Sequence, residues 1–283
     1  ALNMTYLDEV AATTGVDSDD RRPLQDMVRD SALVRALRQR GYTYLALSTG
    51  YADAELQSAD IYLAAPWSLS QFESGLINTT PISPLISLQY DLHRQRLLYA
   101  FDHLADATRI KGPVFTFAHI AAPHPPFVFD EAGGPITPNR EFYLSDGSHY
   151  MEEGSRDEYI AGYAAQVRFV TAKAQAAIET ILEHSPAPPI IVLQADHGPG
   201  SRLIWTSAER TDLRERMSIL NAYHLPGGVD AALYDTISPV NSFRLILSSY
   251  FAADYALLED RSYFSLWDRP YDFIEVPDPG TGP

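Results

Sequence analysis

The sequence predicts an α/β protein, a three-layer α/β/α sandwich with a mostly parallel sheet. Amphipathic helical segments alternate along the chain with short, continuous apolar segments rich in β-formers. This is the pattern of strands that helices cover on both faces. Hydrophobic residues make up 46% of the 283 residues and charged residues 20%, which is sufficient for a sizeable core. We therefore expect a single domain over residues 1–283.

The first part of the chain supplies two helices with a strand between them. An apolar stripe predicts a helix over residues 23–40, and Gly41 ends it. Residues 42–50 (YTYLALSTG) are typical of a buried strand. A second helix is expected over residues 84–107, with Ser83 as its N-cap.

The middle of the chain continues the alternation. Residues 111–120 (KGPVFTFAHI) predict a strand, and a loop rich in Pro and Gly follows over residues 121–153. Loops of this length are often functional. An amphipathic helix is expected over residues 159–181. Residues 189–195 (PIIVLQA) are the clearest strand, because they are apolar on both faces, as in a covered parallel sheet.

The last part of the chain adds a strand, a helix and a tail. Residues 217–225 predict the strand, and residues 239–251 the helix, with Ser238 as its N-cap. The aromatic-rich residues 263–273 are expected to pack back on the domain. Residues 274–283 are predicted to form a disordered tail.

The composition excludes several classes of function. The formal net charge of −16 argues against partners such as nucleic acids and anionic membranes, because like charges repel. The chain has no cysteine, which excludes disulfides, cysteine zinc sites and cysteine nucleophiles. No apolar segment is long enough to span a bilayer, and the start of the chain has no signal-peptide pattern.

One candidate site follows the strand at residues 189–195. Asp196 and His197 come directly after it, and glycines follow at positions 198 and 200. In open α/β sheets, ligands bind beyond the carboxyl ends of the strands. A carboxylate beside an imidazole can bind a divalent cation there. The alternative is that Asp196 caps the turn and His197 is an exposed residue.

A second candidate site follows the strand at residues 111–120. His119 lies at the end of the strand, and His124 lies in the loop among Pro123, Pro125 and Pro126. Prolines stiffen such a loop, and a stiff loop suits an imidazole that must meet an anionic ligand. The alternatives are that His119 is a hydrogen-bonded core histidine and His124 a turn residue.

Arg216 is a further candidate for binding an anion. It precedes the predicted strand at residues 217–225, and an arginine near the active edge of a sheet can hold a phosphate or sulfate bidentately. The alternative is an arginine at the surface or at the end of a helix.

Several segments together resemble a known family. They are the ADHG turn, APHPPFVFD, ILNAYHLPG, SPVNSFRLIL, DRSYFS and the opening ALNMTYLDEV. In this order they resemble the membrane-anchored, sulfatase-like proteins of bacteria in the alkaline phosphatase superfamily, which are related to lipoteichoic acid synthases and phosphoethanolamine transferases. The resemblance covers nearly the whole chain. It implies an alkaline phosphatase-like sandwich and a metal-dependent hydrolase or transferase acting on phosphate or sulfate esters.

The resemblance also assigns roles to particular residues. It implies that Asp196 and His197 bind the catalytic divalent metal, whose identity (Zn, Mn, Mg or Ca) stays open. It implies that His124 contacts the substrate phosphate or a second metal, and that His119 contributes to the same site. It places the domain outside the cytoplasm, in the bacterial cell envelope, with a membrane tether in the full-length protein.

The resemblance leaves the nucleophile unassigned. Its members carry an N-terminal strand with an acidic metal ligand and a Thr or Ser nucleophile, both before the segment that resembles ALNMTYLDEV. We therefore expect a chain that is incomplete at its N-terminus, lacks that strand and is inactive alone. Thr13 and Thr14 follow the segment and are interpreted as polar residues flanking a helix. The alternative function is a non-catalytic, anion-binding domain of the same fold.

Overall fold

The computed structural model describes residues 1–79, 85–144 and 147–276. These residues form a mixed α/β protein. The chain divides into two compact units, and each is described by itself. The first unit combines Ala1–Ala36 with Pro188–Pro283, and the second is Leu37–Ala187. The prediction of a single domain stays a prediction.

Helices and strands are interspersed along the described residues, which begin with three helices in succession and end with two consecutive strands. The helices are α1 (Asp8–Thr14), α2 (Arg22–Arg29), α3 (Ala32–Arg38), α4 (Gln71–Asn78), α5 (Leu85–His103), α6 (Gly147–Glu153), α7 (Arg156–His184), α8 (Leu213–Met217) and α9 (Pro239–Phe251). The strands are β1 (Thr43–Leu47), β2 (Ile61–Leu63), β3 (Val114–Phe117), β4 (Ile191–Gln194), β5 (Asn221–His224), β6 (Ser262–Leu266) and β7 (Arg269–Val276).

The second unit contains a parallel sheet of three strands in the order β2-β1-β3. Leu45 of the middle strand pairs with Ile61 on one side and with Thr116 on the other. Leu45 and Leu47 are buried, and Ala100 of α5 packs against them. This part of the chain confirms the predicted strands at residues 42–50 and 111–120, each with shorter bounds.

The loop after β3 is anchored in the core of the second unit. Val128 and Phe129 are buried in a cluster with Tyr90 and Leu97 of α5. Gln166 of α7 fixes their backbone, because its side-chain oxygen accepts from the N–H of Val128 at 2.7 Å and of Phe129 at 3.3 Å. Its amide nitrogen donates to the His124 carbonyl at 3.1 Å. The loop that carries His124 is therefore held by α7.

The predicted helix at residues 23–40 is wrong in one respect, because it is two helices. α2 ends at Arg29 and α3 begins at Ala32. The side chain of Asn3 fills the break: it donates to the Met27 carbonyl at 2.8 Å and accepts from the Ala32 N–H at 2.9 Å. A continuous helix would have used both groups internally, so the contact with Asn3 replaces two helical hydrogen bonds.

The first unit departs from the predicted parallel sheet. β4 pairs with β5 in the antiparallel sense, with Ile191 opposite His224 and Gln194 opposite Asn221. The chain returns through the short helix α8, so the connection acts as a hairpin rather than as a crossover. Leu245 and Ile246 of α9 pack on this pair of strands. The apolar residues of β4 thus face a helix within an antiparallel pair.

Two predicted elements are confirmed with nearly the expected bounds. α9 covers the predicted residues 239–251. α7 is longer than predicted and begins with a capping box, in which Ser155 accepts from the Glu158 N–H and the Glu158 carboxylate accepts from the Ser155 N–H. Ser83, the predicted cap of α5, lies outside the described residues.

The C-terminal strand corrects the predicted tail. β7 runs to Val276 and pairs with β6 in the antiparallel sense, so residues 274–276 belong to a strand rather than to a disordered tail. The remaining residues, 277–283, lie outside the described part of the chain. Among the helices described here, none combines the length and the apolar character that crossing a membrane requires.

Candidate functional site

The Asp–His turn, residues Asp196 and His197, follows β4 in the first unit. Its backbone is tied to α8 and to the segment after it by two hydrogen bonds: the Gly198 N–H donates to the Arg216 carbonyl at 2.7 Å, and the Ala195 N–H donates to the Leu220 carbonyl at 2.8 Å. A Cβ atom on Gly198 would lie within 3.0 Å of three backbone oxygens of residues 215–218. Glycine is therefore required at position 198 for the turn to approach this segment.

The geometry of the Asp–His turn fits two ligands of one divalent cation. The His197 Nε2 and the Asp196 Oδ2 are 3.6 Å apart. Two ligand atoms at about 2.1 Å from one ion are separated by about 3.4 Å when the angle at the ion is tetrahedral. Both side chains are accessible, with 32% of the His197 side chain exposed and 65% of that of Asp196. The spacing and the exposure suit a shared cation.

The hydrogen bond at the other imidazole nitrogen, Nδ1, orients the His197 ring so that Nε2 lies beside Asp196. The His197 Nδ1 is 2.8 Å from the Gly198 carbonyl oxygen. A carbonyl only accepts, so Nδ1 carries the proton and Nε2 is the nitrogen suited to a metal.

Among the described residues, no group of three or more His, Asp or Glu side chains is arranged to hold a metal ion. The Asp–His turn therefore offers two ligands, where about three are usual.

Arg216 lies next to the Asp–His turn but faces its backbone. It is buried in the last turn of α8, and its Nη1 donates to the Gly198 carbonyl at 3.2 Å. Its guanidinium lies 5.5 Å from the centre of the Trp205 ring. The same carbonyl thus accepts from His197 and from Arg216, so Arg216 positions the turn. Its role in binding substrate stays a prediction.

His119 and His124 belong to the second unit. His119 follows β3 at the carboxyl edge of the parallel sheet, and its ring centre lies 6.3 Å from that of Tyr51. The His124 Nδ1 lies 2.5 Å from the Pro125 carbonyl oxygen, and its own carbonyl accepts from Gln166. Both histidines are half-buried. His124 is thus held in a fixed place, as the prolines around it predicted.

Thr13, which was not assigned as the nucleophile from the sequence, is hydrogen-bonded within α1. Thr13 and Thr14 are the last residues of α1. The Thr13 hydroxyl donates to the Glu9 carbonyl at 2.8 Å within the helix. This agrees with their interpretation as polar residues at a helix end.

A cavity of about 20 Å³ lies beside the loop that carries His124, and Pro125, Pro126 and Arg140 are among its lining residues. The Arg140 guanidinium stands 4.4 Å from the centre of the Tyr150 ring. A volume of this size holds about one water molecule. The cavity is therefore too small for an organic substrate.

The second unit also contains a group of residues that sequence analysis missed. We call Thr49, His93 and Arg96 the buried polar cluster. Thr49 is 2% exposed, His93 1% and Arg96 5%. The Thr49 Oγ1, both ring nitrogens of His93 and the Arg96 Nε have no hydrogen-bond partner among the described residues. Buried polar atoms without partners are uncommon in proteins, so this cluster needs an explanation.

The electrostatic surroundings of His93 keep its ring neutral. Burial lowers the pKa of His93 to about 3, and the positive charges of Arg96, His124 and Arg94 act in the same direction. The ring packs against Phe142, with the two ring centres 5.5 Å apart. At neutral pH, His93 therefore presents one N–H donor and one acceptor nitrogen.

Arg96 is held against the backbone that follows β1. A Cβ atom on Gly50, whose φ is +76°, would lie within 3.0 Å of the Arg96 guanidinium. Burial lowers the pKa of Arg96, while the carboxylate of Glu55 and the hydroxyl of Tyr62 act to raise it. The Glu55 oxygens accept from the Gly50 N–H at 2.7 Å and from the Tyr62 hydroxyl. Glycine at position 50 thus lets a buried cation approach the end of β1.

A signal for this cluster exists in the sequence. Gln89, His93 and Arg96 are spaced i, i+4 and i+7 on α5, which places them on one face of a helix. Tyr90 and Leu97, which neighbour this stripe, are buried. A polar stripe beside buried apolar positions was a clue to a buried polar site.

The two groups of predicted residues thus fall in different units. The Asp–His turn and Arg216 lie in the first unit, and His119 and His124 lie in the second. β3 and β4, which precede the two groups, belong to different sheets. Their convergence on one pocket stays a prediction.

The structure defines the protein as mixed α/β, with a small parallel sheet whose carboxyl edge carries polar residues. Comparison of the chain with family models, curated proteins and solved structures gave no match.

Proposed function

We propose that this chain is the greater part of a metal-dependent hydrolase or transferase that acts on phosphate or sulfate esters. The proposed fold is the α/β/α sandwich of the alkaline phosphatase type. The observation that carries the proposal is the Asp–His turn: a carboxylate oxygen and an imidazole nitrogen 3.6 Å apart, with the second ring nitrogen fixed on a carbonyl. Two ligands of one divalent cation would be spaced in this way.

The chain's own residues take the following roles in this proposal. Asp196 and His197 hold the metal, and Arg216 positions the turn through the Gly198 carbonyl. His124, with His119, contacts the transferred phosphate or sulfate group. A divalent cation held there would supply Lewis-acid polarisation of the ester and activation of a nucleophile. Following the resemblance, the Thr or Ser nucleophile and the first acidic ligand lie outside these 283 residues.

A second candidate function is a non-catalytic, anion-binding domain of the same fold. It is favoured by the ligand set, because the described residues offer the cation two ligands rather than three. The gene sequence upstream of Ala1 separates the two candidates. An acidic strand end followed by Thr or Ser, with transmembrane helices before it, supports the enzyme, whereas a native start at Ala1 supports the binding domain.

Metal binding provides the direct test. Equilibrium dialysis with Zn²⁺ and Mn²⁺ should detect weak binding, and D196N and H197Q should each lower the affinity by about tenfold or more, because each removes one of two ligands. The matched control is D106N, which should bind the metal as the wild type does. It changes another carboxylate–imidazole pair, in which the Asp106 Oδ2 lies 2.6 Å from the His103 Nδ1. Equal affinity in the wild type and both turn variants would refute the metal site.

Activity needs its own test. The 283-residue chain should hydrolyse p-nitrophenyl phosphate and p-nitrophenyl sulfate slowly or not at all, and a protein that includes the upstream segment should hydrolyse one of them. Loss of that activity in D196N would support the enzyme. If the longer protein binds metal through the Asp–His turn but stays inactive on both esters, the non-catalytic alternative is favoured.

The proposal includes the location of the domain. The resemblance places it outside the cytoplasm, on a membrane-anchored protein of the bacterial cell envelope. Protease added to whole cells should therefore digest the domain, and a cytoplasmic control protein should survive. A domain that resists protease until the cells are lysed would contradict this location.

A further inference from the structure

The buried polar cluster lies where a parallel sheet binds ligands. Thr49 and Gly50 follow the end of β1, the middle strand of the sheet in the second unit. Ligands in open α/β sheets bind beyond the carboxyl ends of the strands. Arg96 approaches this edge from α5, against Gly50. The cluster thus combines the end of a central strand with the face of a helix.

Arg96 connects the other two members of the cluster. A side chain at Gly50, the residue after Thr49, would collide with the Arg96 guanidinium. His93 lies three positions before Arg96 on α5, which puts both on one helix face. The charge of Arg96 also acts on the His93 ring. Arg96 therefore lies beside the backbone that carries Thr49 and on the same helix face as His93.

We propose that Thr49, His93 and Arg96 form a binding site for a tetrahedral oxyanion, phosphate or sulfate, that needs no metal ion. The proposal rests on the proposed function for the class of anion, but its residues are different. The Arg96 Nε, the Thr49 Oγ1 and the His93 nitrogens have no protein partner among the described residues. An oxyanion accepts hydrogen bonds from an arginine, a hydroxyl and an imidazole N–H.

The charges of the cluster favour an anion over a cation. The guanidinium of Arg96 is buried, and a second positive ion beside it would be repelled. Glu55 is the nearby carboxylate, but its two oxygens already accept from the Gly50 N–H and the Tyr62 hydroxyl. The Arg96 Nε nevertheless has no hydrogen-bond partner among the described residues, and an anion can accept from it.

The contact of Arg96 with Leu69 occupies the edge of the guanidinium that the proposed anion would use. The Arg96 Nη2 donates to the Leu69 carbonyl. The Nε and Nη2 edge of an arginine binds oxyanions bidentately, so a bound anion takes the place of this carbonyl. Trp67, two residues before Leu69, is 86% exposed, and its fluorescence should change when the segment moves.

Isothermal titration of the chain with inorganic phosphate and with sulfate, in the presence of EDTA, tests the site. At least one ion should bind, and R96Q should weaken it by about tenfold or more, because charge-assisted hydrogen bonds are lost. R96K keeps the charge but loses the fork, and T49V removes the hydroxyl without changing the volume greatly. Both should weaken binding by less than R96Q does.

The control variant is R109Q. R109Q removes an exposed arginine of the same unit, which pairs with Asp106 at 2.9 Å, and should bind as the wild type does. Thermal melts identify any variant that fails to fold, and T49V then serves in place of R96Q. The site is overturned if neither ion binds, or if binding survives R96Q and T49V unchanged. Because EDTA is present, neither result depends on the Asp–His turn.

Discussion

The Asp–His turn and the buried polar cluster differ in how the chain builds them. Asp196 and His197 are neighbours in sequence, and both side chains are accessible. Thr49, His93 and Arg96 come from a strand end and a helix, and all three are nearly closed to solvent. A local motif marks the first site, whereas only the fold assembles the second. The Asp–His turn can therefore be proposed from the sequence alone, whereas the buried polar cluster is seen only once the packing is known.

The two sites also differ in what holds them in shape. The Asp–His turn is held by backbone contacts, with Gly198 pressed against the carbonyls of residues 215–218. The cluster is held by the guanidinium of Arg96 against Gly50. Backbone atoms move less readily than the end of a flexible side chain. We therefore expect an added methyl group to destabilise the protein more at Gly198 than at Gly50.

The largest effect should come from G198A. Its new methyl group would meet three backbone oxygens, and relieving such overlap requires the turn to move away from α8. We expect a loss of about 3 kcal/mol or more in the free energy of unfolding, measured by urea denaturation. G15A is the comparison, because nothing lies within 4 Å of a Cβ there and φ is +95°; it should lose about 1 kcal/mol through backbone strain alone. Equal losses would show that the turn is not tightly packed.

The second effect concerns pH and belongs to the cluster. The pKa of His93 is lowered to about 3 in the folded chain, against about 6.5 when unfolded. Between these values the unfolded chain binds the extra proton, so stability falls as the pH falls. From pH 7 to pH 5, His93 should account for a loss of about 2 kcal/mol. H93Q should remove that part of the pH dependence in urea denaturation.

The control for this pH effect is an exposed histidine. H184Q changes a residue at the end of α7 whose Nδ1 lies 2.9 Å from the Thr180 carbonyl oxygen. The free energy of unfolding of H184Q should fall between pH 7 and pH 5 by the same amount as that of the wild type. If H93Q and the wild type lose the same stability between pH 7 and pH 5, His93 is not held neutral in the folded state.

Sequence reasoning predicted best where local pattern decides the structure. α7 and α9 match because a long apolar stripe and a proline at the first helical turn are local signals. The helix at residues 23–40 was wrong because its break depends on Asn3, which is distant in sequence. The apolar periodicity of residues 23–40 contains no information about Asn3, because Asn3 lies outside that segment.

The strand partners show the same limit. An apolar run identified β4, but whether its neighbour runs parallel or antiparallel depends on how the chain returns through residues 195–220, which the apolar pattern of β4 does not specify. The site residues divide likewise. Asp196 and His197 could be proposed from the sequence because they are adjacent, whereas His93 and Arg96 required knowing which face of α5 is buried. Their partner Thr49 lies on another element, which no helical spacing reveals.

The smallest effect distinguishes two roles of Arg216. If Arg216 positions the Asp–His turn, R216Q should weaken metal binding by less than D196N does, because the Gly198 carbonyl keeps its bond from His197. Loss of one hydrogen bond from a charged donor should also lower the free energy of unfolding by about 1.5 kcal/mol. Phosphate binding by the buried polar cluster, measured by titration in EDTA, should not change. If R216Q instead abolishes phosphate binding and leaves metal binding intact, Arg216 binds the anion, as its position in the sequence suggested.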